Sequence, residues 1–223
     1  CALSAVPALG ILPILQVALL GVACAAVTRL FCLLLHAAEH QLPKRLPNPW
    51  VRVAVGGAAV VLLTLAVGSQ TYNGAGMRTI SAAIEGGAAP AFGFLLKILF
   101  TAITLGAGFK GGEVVPSFFV GATFGCVVGP LLGIPAGFAA AIGLAAVFCG
   151  ATNCPVASIF LSIEMFGGEG LLYFALACGL SYIFSGYSGL YSSQTILYSK
   201  LKARYINIHT NSSPSSAHEP GER

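Results

Sequence analysis

Glu113 is the residue whose type and position most directly indicate chemistry. It lies in the segment GFKGGEVVPSFFVGATFG, residues 108–125, and the stretch after it, from Val114 to Ile163, contains no Asp, Glu, Lys, Arg or His. A carboxyl group at the edge of so apolar a stretch is costly, which favours a role as a proton carrier, an ion ligand or a gate. Burial is expected to raise its pKa. The alternative is a first-turn acid that the helix dipole stabilises.

The residues around Glu113 form a predicted break between two helices. Gly111 and Gly112 allow a tight backbone turn. Pro116 suits the first turn of the following helix, because it has no N–H donor to lose. Consecutive N–H groups at such a helix start could hold a dehydrated anion, and here they belong to Glu113, Val114 and Val115.

Further polar candidates are two tyrosines, a second glutamate and a lysine. Tyr187 and Tyr191 stand beside small residues in SGYSGLYSSQTILYSK, residues 185–200. A phenolic hydroxyl can donate to an anion without adding charge, although both tyrosines also fit an interfacial aromatic belt. Glu164 lies near the end of an apolar run, where a structural role is favoured. Lys97, inside another apolar run, is expected to snorkel to an interface or to pair with a carboxyl.

Composition places these residues in a membrane protein. Of the 223 residues, 57% are hydrophobic and 8% are charged, against roughly 25% charged in soluble domains. The mean hydropathy is +0.87, and the apolar stretch after Glu113 far exceeds the ~20 residues that cross a bilayer once. The net charge of +4 is scattered, so we expect no nucleic-acid partner.

The cysteines give no sign of a metal or cofactor site. They include no CxxC pair, and we expect them to be small buried hydrophobic residues. We expect no catalytic set, metal or cofactor. The seven cysteines are Cys1, Cys24, Cys32, Cys126, Cys149, Cys154 and Cys178.

Glycine and proline divide the apolar sequence into short predicted helices. The first ends near Pro13 and a longer one reaches the Glu39–His40 region, followed by a loop over residues 41–50. Further helices are predicted over residues 51–68, 77–84, 91–107, 117–132, 136–149, 156–166, 169–185 and 190–204. Broken helices inside a membrane present positive dipole ends to anions, although simple kinks between packed helices would give the same pattern. We expect a transmembrane domain over residues 1–204, a disordered tail over 205–223, and a chain that is part of a longer protein.

Three segments, in order, resemble the CLC family of anion channels and transporters (the voltage-gated chloride channel type). GGEVVPSFFVGATFG resembles its GxFxP segment, GATNCPVASIFLSIEMFGG its following segment with Glu-Met, and GLYSSQTI the start of its last membrane helix. The resemblance is firm over residues 106–198. It implies an all-α integral membrane fold: a CLC-type bundle of tilted and broken transmembrane helices, forming the second half of an inverted repeat. It also implies a homodimer in membrane lipid.

The resemblance also implies a function and its residues. GFKGGEV is similar to the bacterial branch that exports fluoride in exchange for protons, in which a glutamate at this place takes part in coupling. Accordingly, transport of fluoride or chloride with proton exchange is expected, in a bacterial plasma membrane. Glu113 would be the proton-coupling residue, and Gly111 and Pro116 would shape the break. The implied anion-binding residues are Gly112, Glu113, Val114, Val115 and Tyr191.

Some features depart from the resemblance, and alternatives stay open. Val115 stands where that branch usually has Thr, which removes a hydroxyl from the expected ion path. No GxEGP or GSGxP motif occurs, so the principal gate is expected outside this chain. A passive chloride channel and a different inverted-repeat secondary transporter are the alternatives. A membrane-embedded enzyme is disfavoured, because no nucleophile set is recognisable.

Overall fold

The computed structural model describes residues 6–200 and 205–211. Within these residues the chain forms eight α-helices, one 3₁₀ turn at Pro130–Leu132 and a two-stranded antiparallel hairpin. The helices are α1 (Ile11–Arg45), α2 (Pro49–Val67), α3 (Met77–Glu85), α4 (Gly93–Gly106), α5 (Val114–Val128), α6 (Ala136–Thr152), α7 (Pro155–Phe166) and α8 (Leu171–Phe184). The strands are β1 (Thr195–Tyr198) and β2 (Tyr205–His209).

Capping residues explain several of the helix boundaries. The Asn48 side chain accepts a hydrogen bond from the Trp50 N–H and Pro49 is the first residue of α2, which is favourable N-terminal chemistry. Gly68 ends α2 in the left-handed conformation. Asn153 ends α6 in the same conformation, at φ 57°, and Pro155 then begins α7. The break between α6 and α7 is therefore only Asn153 and Cys154.

The core is built on the contact between α5 and α6. Glycines make this contact close, because a Cβ at Gly121 would collide with the carbonyl oxygen of Gly143, and one at Gly125 with that of Ala139. Such small residues let membrane helices approach backbone to backbone. α6 is buried over almost its whole length, with α1, α7 and α8 packed around it.

The outer helices expose apolar side chains. α1 and α2, with 35 and 19 residues, are long and apolar enough to cross a membrane, and five shorter helices are also apolar. α2 buries only Gly56 among its described residues. Side chains such as Leu62 and Leu65, which are 65% and 72% exposed, therefore need an apolar environment outside the described chain.

Most predicted helices are present, with corrected ends at the prolines. Residues 6–10 are not helical and Pro13 lies in the first turn of α1, so the predicted short helix ending near Pro13 was wrong for these residues; residues 1–5 lie outside the described chain. α1 continues through Pro43 to Arg45, which shortens the predicted 41–50 loop to residues 46–48. α5 begins at Val114, three residues before the predicted 117, which places Pro116 in its first turn.

The hairpin is the main correction to the predicted helices. Residues 190–200 contain strand β1 rather than the start of the predicted 190–204 helix, and β1 pairs Ile196 with Ile208 of β2. The β-branched and aromatic residues of TILY and YINIH favour strands once they are paired. A disordered tail from residue 205 is therefore wrong for 205–211, whereas 201–204 and 212–223 lie outside the described residues.

Candidate functional site

The connection between α4 and α5, residues 107–113, forms the predicted break. α2 supports it: Arg52 Nε donates to the carbonyl oxygen of Ala107 at 3.3 Å. A cation at the carbonyl end of α4 is favourable for the helix dipole. Gly108 has a φ of 100° and a Cβ there would lie 3.4 Å from the Arg52 guanidinium, so this glycine makes the tight turn. Neither Arg52 nor Gly108 was predicted from the sequence to shape the break.

Gly111 and Gly112 border open space. Neither has the left-handed φ that favours glycine. A Cβ at Gly112 would meet no atom within 4 Å, and one at Gly111 would meet only Leu105, at 3.4 Å. The tight turn that was predicted for this pair lies at Gly108 instead. What the pair provides is a bare backbone surface in front of α5.

Glu113 stands at the N-cap position of α5, but its side chain makes no capping hydrogen bond. Its backbone carbonyl accepts from the Ser117 N–H at 3.2 Å, while the Oε2 atom is buried without a hydrogen-bond partner among the described residues. A buried, unbonded carboxyl oxygen is costly. A simple capping role therefore does not account for this side chain.

The electrostatic surroundings of Glu113 come from α1. Burial raises the pKa of the Glu113 carboxyl above its usual value, Glu39 raises it further, and His36 acts in the opposite direction. α1 also packs closely here, because a Cβ at Gly106 would lie 2.9 Å from Ala38. The turn of α1 from His36 to Glu39 therefore borders the break and its carboxyl group.

The first turn of α5 carries the predicted backbone donors. The first N–H groups of an α-helix have no acceptor within the helix, and in α5 these include Val114 and Val115. Pro116 has no N–H to leave unsatisfied. The Ser117 hydroxyl donates to the Val114 carbonyl at 2.6 Å, so it is committed within the helix.

A cavity of about 510 Å³ borders this break. The residues that line it include Gly111 and Gly112 of the break and Val115 and Pro116 of the first turn of α5. Lys97 of α4 lines it too, with only 2% of its surface exposed. Its ammonium group donates to the backbone carbonyls of Tyr72, at 3.1 Å, and of Gly74. The expectation that Lys97 snorkels or pairs with a carboxyl was therefore wrong, because the turn after α2 supplies carbonyl acceptors instead.

Tyr191 lies between α8 and β1 rather than at a helix start. It is 44% exposed, and its hydroxyl has no hydrogen-bond partner among the described residues. Its carbonyl accepts from the Thr210 hydroxyl and from the Gln194 N–H. The neighbouring Leu190 N–H donates to the Ala151 carbonyl at 2.8 Å, which fixes this loop against the end of α6. The Tyr187 hydroxyl instead donates to Ser199 at 3.1 Å.

Two hydrogen-bonded residues join the Tyr191 loop to the Glu113 region. Asn211 bonds to the backbone N–H and carbonyl of Gly189, and its side chain also reaches His36 at 3.1 Å. His36 in turn acts electrostatically on Glu113. Sequence reasoning missed this connection, because the partners are 175 positions apart.

Lys200 holds the hairpin against the ends of two helices. Its ammonium donates to the Asn153 side chain, to the Tyr182 carbonyl at 2.8 Å and to the Ser185 hydroxyl at 3.4 Å. It also lies over the Tyr182 ring, 4.1 Å from the centroid. Burial lowers the pKa of Lys200 to about 8. A cation here opposes the negative carbonyl ends of α6 and α8.

The described residues contain no cluster of three or more His, Cys, Asp or Glu suited to a metal ion. The predicted residues from Gly111 to Pro116 are contiguous, and the cavity adds Lys97 to them. Tyr191 belongs to a separate element, the loop before the hairpin. The arrangement is thus a helix N-terminus with a titratable carboxyl, bordered by a cavity that contains a buried cation.

Comparison with known proteins identifies the family. The voltage gated chloride channel family matches residues 2–186. The "Chloride/fluoride channel protein" of Pseudomonas syringae pv. tomato is 41% identical over 156 residues, which are 67% of this chain and 34% of that protein. An uncharacterized protein of Methanocaldococcus jannaschii is 38% identical over 71 residues, 32% of this chain and 18% of that protein.

A solved structure supports the same assignment at the level of the fold. The crystal structure of a CLC-type fluoride/proton antiporter superimposes with a TM-score of 0.82 at 34% identity, covering 85% of this chain and 48% of the other. This chain spans from about a fifth to about half the length of these relatives. The family match and this superposition show that the chain belongs to the CLC (voltage gated chloride channel) family, with the all-α integral membrane fold of that family.

Proposed function

We propose that this chain is part of a transporter that moves fluoride or chloride across a membrane in exchange for protons. The observation that carries the proposal is the Glu113 carboxyl: half-buried, with one oxygen unbonded, at the N-terminus of α5. Support also comes from two relatives, one a chloride/fluoride channel protein and the other a fluoride/proton antiporter.

The start of α5 supplies the anion-binding part of the proposal. A helix N-terminus carries the equivalent of roughly +0.5 charge, together with N–H groups that lack acceptors. In α5 these groups belong to Val114 and Val115, next to the bare backbone of Gly111 and Gly112. An anion there is held without a permanent positive charge, so it can also leave.

Glu113 couples that anion to a proton through repulsion. Two like unit charges 4 Å apart repel by about 4 kcal/mol at an effective dielectric constant near 20. An ionised Glu113 and a bound anion therefore disfavour each other, whereas protonated Glu113 leaves the site free for the anion. Because the pKa of Glu113 is raised, its carboxyl takes up a proton more readily than an ordinary glutamate.

The choice between fluoride and chloride depends on the polarity of the path. Fluoride holds its water strongly, so its site needs many polar ligands, and Val115 offers no hydroxyl beyond its backbone. The Tyr191 hydroxyl is unbonded among the described residues, and we assign it as an anion ligand. The two relatives name fluoride in common.

The test uses the full-length protein that contains this chain, reconstituted in liposomes. Fluoride and chloride efflux are followed with ion-selective electrodes, and protons with a pH electrode. Anion efflux with opposite proton movement supports the exchanger. Chloride efflux without proton movement would instead establish the alternative, a passive chloride channel.

The transporter is further proposed to be a homodimer in a bacterial plasma membrane. The exposed apolar side chains of α1, α2 and α7 provide surface for lipid and for a second copy. Light scattering of the detergent-solubilised protein, corrected for bound detergent, measures the subunit number. A monomer mass would contradict the dimer while leaving the transport proposal untouched.

A further inference from the structure

The cavity beside the break is lined by four parts of the chain. α2 contributes Val60, α4 contributes Lys97 to Leu105, and the turn after α2 contributes Tyr72 to Ala75. The fourth side is formed by Gly111, Gly112, Val115 and Pro116. The cavity volume of about 510 Å³ is far larger than a dehydrated halide needs, so an ion could enter with part of its water.

Lys97 is the charged side chain of this cavity, and its charge is not neutralised by an acid. No carboxylate of the described residues pairs with it, and its partners are the neutral carbonyls of Tyr72 and Gly74. The Phe119 ring lies 5.2 Å from its nitrogen on another side. An ammonium group has three N–H donors, so one remains beyond the two carbonyls. A buried cation without a counter-charge is unfavourable, and an anion nearby relieves that cost.

The two threonine hydroxyls of the cavity are committed to backbone carbonyls of α4. The Thr101 hydroxyl donates to the Lys97 carbonyl at 2.8 Å, and the Thr104 hydroxyl to the Phe100 carbonyl at 2.7 Å. Asn73 exchanges hydrogen bonds with Thr64. Lys97 is therefore the side chain of this cavity that has both a positive charge and a remaining donor.

We propose that this cavity is an anion-binding site in its own right, with Lys97 as its cation, beside the site at the start of α5. It takes a small monovalent anion of low hydration, chloride or bromide in preference to fluoride, because the walls are mostly apolar: Val60, Phe100, Leu105 and Val115. Since the cavity shares Gly111 and Gly112 with the break, it is the vestibule from which an anion passes to Glu113. This role in supply rests on the proposed transport function, whereas binding at Lys97 does not.

Three substitutions separate the charge of Lys97 from its hydrogen bonds. Lys97→Arg keeps the charge and the donors. Lys97→Gln keeps a donor for the carbonyls of Tyr72 and Gly74 but removes the charge, and Lys97→Met removes both. Bromide binding to the full-length protein is titrated by calorimetry for all four proteins. Bromide is then located by its anomalous scattering in crystals of the wild type and of Lys97→Gln.

We expect bromide density in the cavity within reach of the Lys97 nitrogen, and its loss in Lys97→Gln. Bromide affinity should fall at least about tenfold in Lys97→Gln and Lys97→Met, and stay within about threefold in Lys97→Arg, since the attraction depends on the charge. Wild-type bromide affinity in a folded Lys97→Gln protein would overturn the site. Bromide density that persists in that variant would overturn it too, because it would mark an adventitious ion only. Thermal unfolding of each variant identifies loss of folding.

Bromide binding at Lys97 and proton-coupled transport can each fail without the other. Bromide at Lys97 in a protein that moves no protons leaves this site standing and removes the exchanger. Proton-coupled transport with an empty Lys97 cavity does the reverse. Lower anion flux in Lys97→Gln at low anion concentration, with the wild-type rate recovered at high concentration, would support the supply role. A flux reduced equally at all concentrations would contradict it.

Discussion

Asn211 donates a hydrogen bond from Nδ2 to Nε2 of His36, at 3.1 Å, and so ties the end of the hairpin to α1. The other hydrogen bonds of the two side chains determine which atoms face each other. His36 Nδ1 donates to the Cys32 carbonyl at 2.8 Å, so Nε2 is the ring nitrogen that faces the Asn211 amide. The Asn211 amide cannot turn around, because its Oδ1 accepts from the Gly189 N–H and its Nδ2 also donates to the Gly189 carbonyl.

The first prediction concerns this connection. Asn211 has a φ of 67°, so Asn211→Gly removes the amide hydrogen bonds without straining the backbone. We expect the Gly189 and Leu190 N–H groups to exchange with deuterium about fivefold faster, since one net hydrogen bond is worth about 1 kcal/mol. Hydrogen-exchange mass spectrometry measures this, with peptides from α6 as the internal control. Unchanged exchange in the loop would mean that the Asn211 side chain does not hold it.

Close packing of α5 on α6 gives the second prediction. Gly125→Ala places a Cβ against the Ala139 carbonyl, and overpacking of this kind costs about 1–3 kcal/mol. Gly179→Ala in α8 is the matched control, because a Cβ there meets no atom within 4 Å. We expect a lower Tm for Gly125→Ala and an unchanged or slightly higher Tm for Gly179→Ala. Equal effects of the two substitutions would contradict the packing described for α5 and α6.

Lys200 should react as an unusually acidic lysine. Burial lowers its pKa from the ordinary 10.5 to about 8, so the neutral amine is abundant at a lower pH than in other lysines. The extent of Lys200 acylation, measured by mass spectrometry at a series of pH values, should therefore rise with pH and reach half of its maximum at about pH 8. Lys200→Arg identifies the labelled peptide. A titration midpoint at about pH 10.4, as in an exposed lysine, would argue against the buried position between α6 and α8.

The Tyr191 hydroxyl is predicted to contribute to anion binding. Tyr191→Phe removes that donor and should weaken anion binding at least about tenfold, because a hydrogen bond to a charged group contributes about 1.5–3 kcal/mol. Tyr187→Phe is the control: the Tyr187 hydroxyl is occupied by Ser199, so its loss should leave anion affinity unchanged. Calorimetric titration with chloride and fluoride compares the two. Equal affinities in both variants would exclude Tyr191 as a ligand.

The helices and the break were predictable because their determinants are local. The α3 helix follows from the helical spacing of apolar residues in MRTISAAIE, which buries Ile80, Ala83 and Ile84 on one face. Proline and glycine marked the ends of α2 and α7, whereas α6 continues through Gly150 to Thr152, three residues past its predicted end at 149. α5 begins at Val114, three residues before the predicted 117, because Pro116 is accommodated in the first turn, where a missing N–H leaves no helical hydrogen bond unmade.

The remaining features depend on partners that are distant in the chain. β1 forms because Thr195–Tyr198 meets Tyr205–His209, and an apolar run without a visible partner is equally compatible with a helix. The partners of Lys97 are carbonyl groups of the turn after α2, 23 and 25 positions earlier, which no side-chain pattern reveals. His36 and Asn211 have no local signal of their connection either.

Proton movement in Glu113→Gln tests the central claim most directly. The substitution keeps the shape of the side chain and the N-terminus of α5 but removes the titratable group. Wild-type and variant full-length proteins are reconstituted at matched density, and anion and proton fluxes are recorded together. The account predicts that Glu113→Gln loses proton movement while part of the anion flux remains. Proton flux equal to that of the wild type would contradict it and exclude Glu113 as the coupling residue.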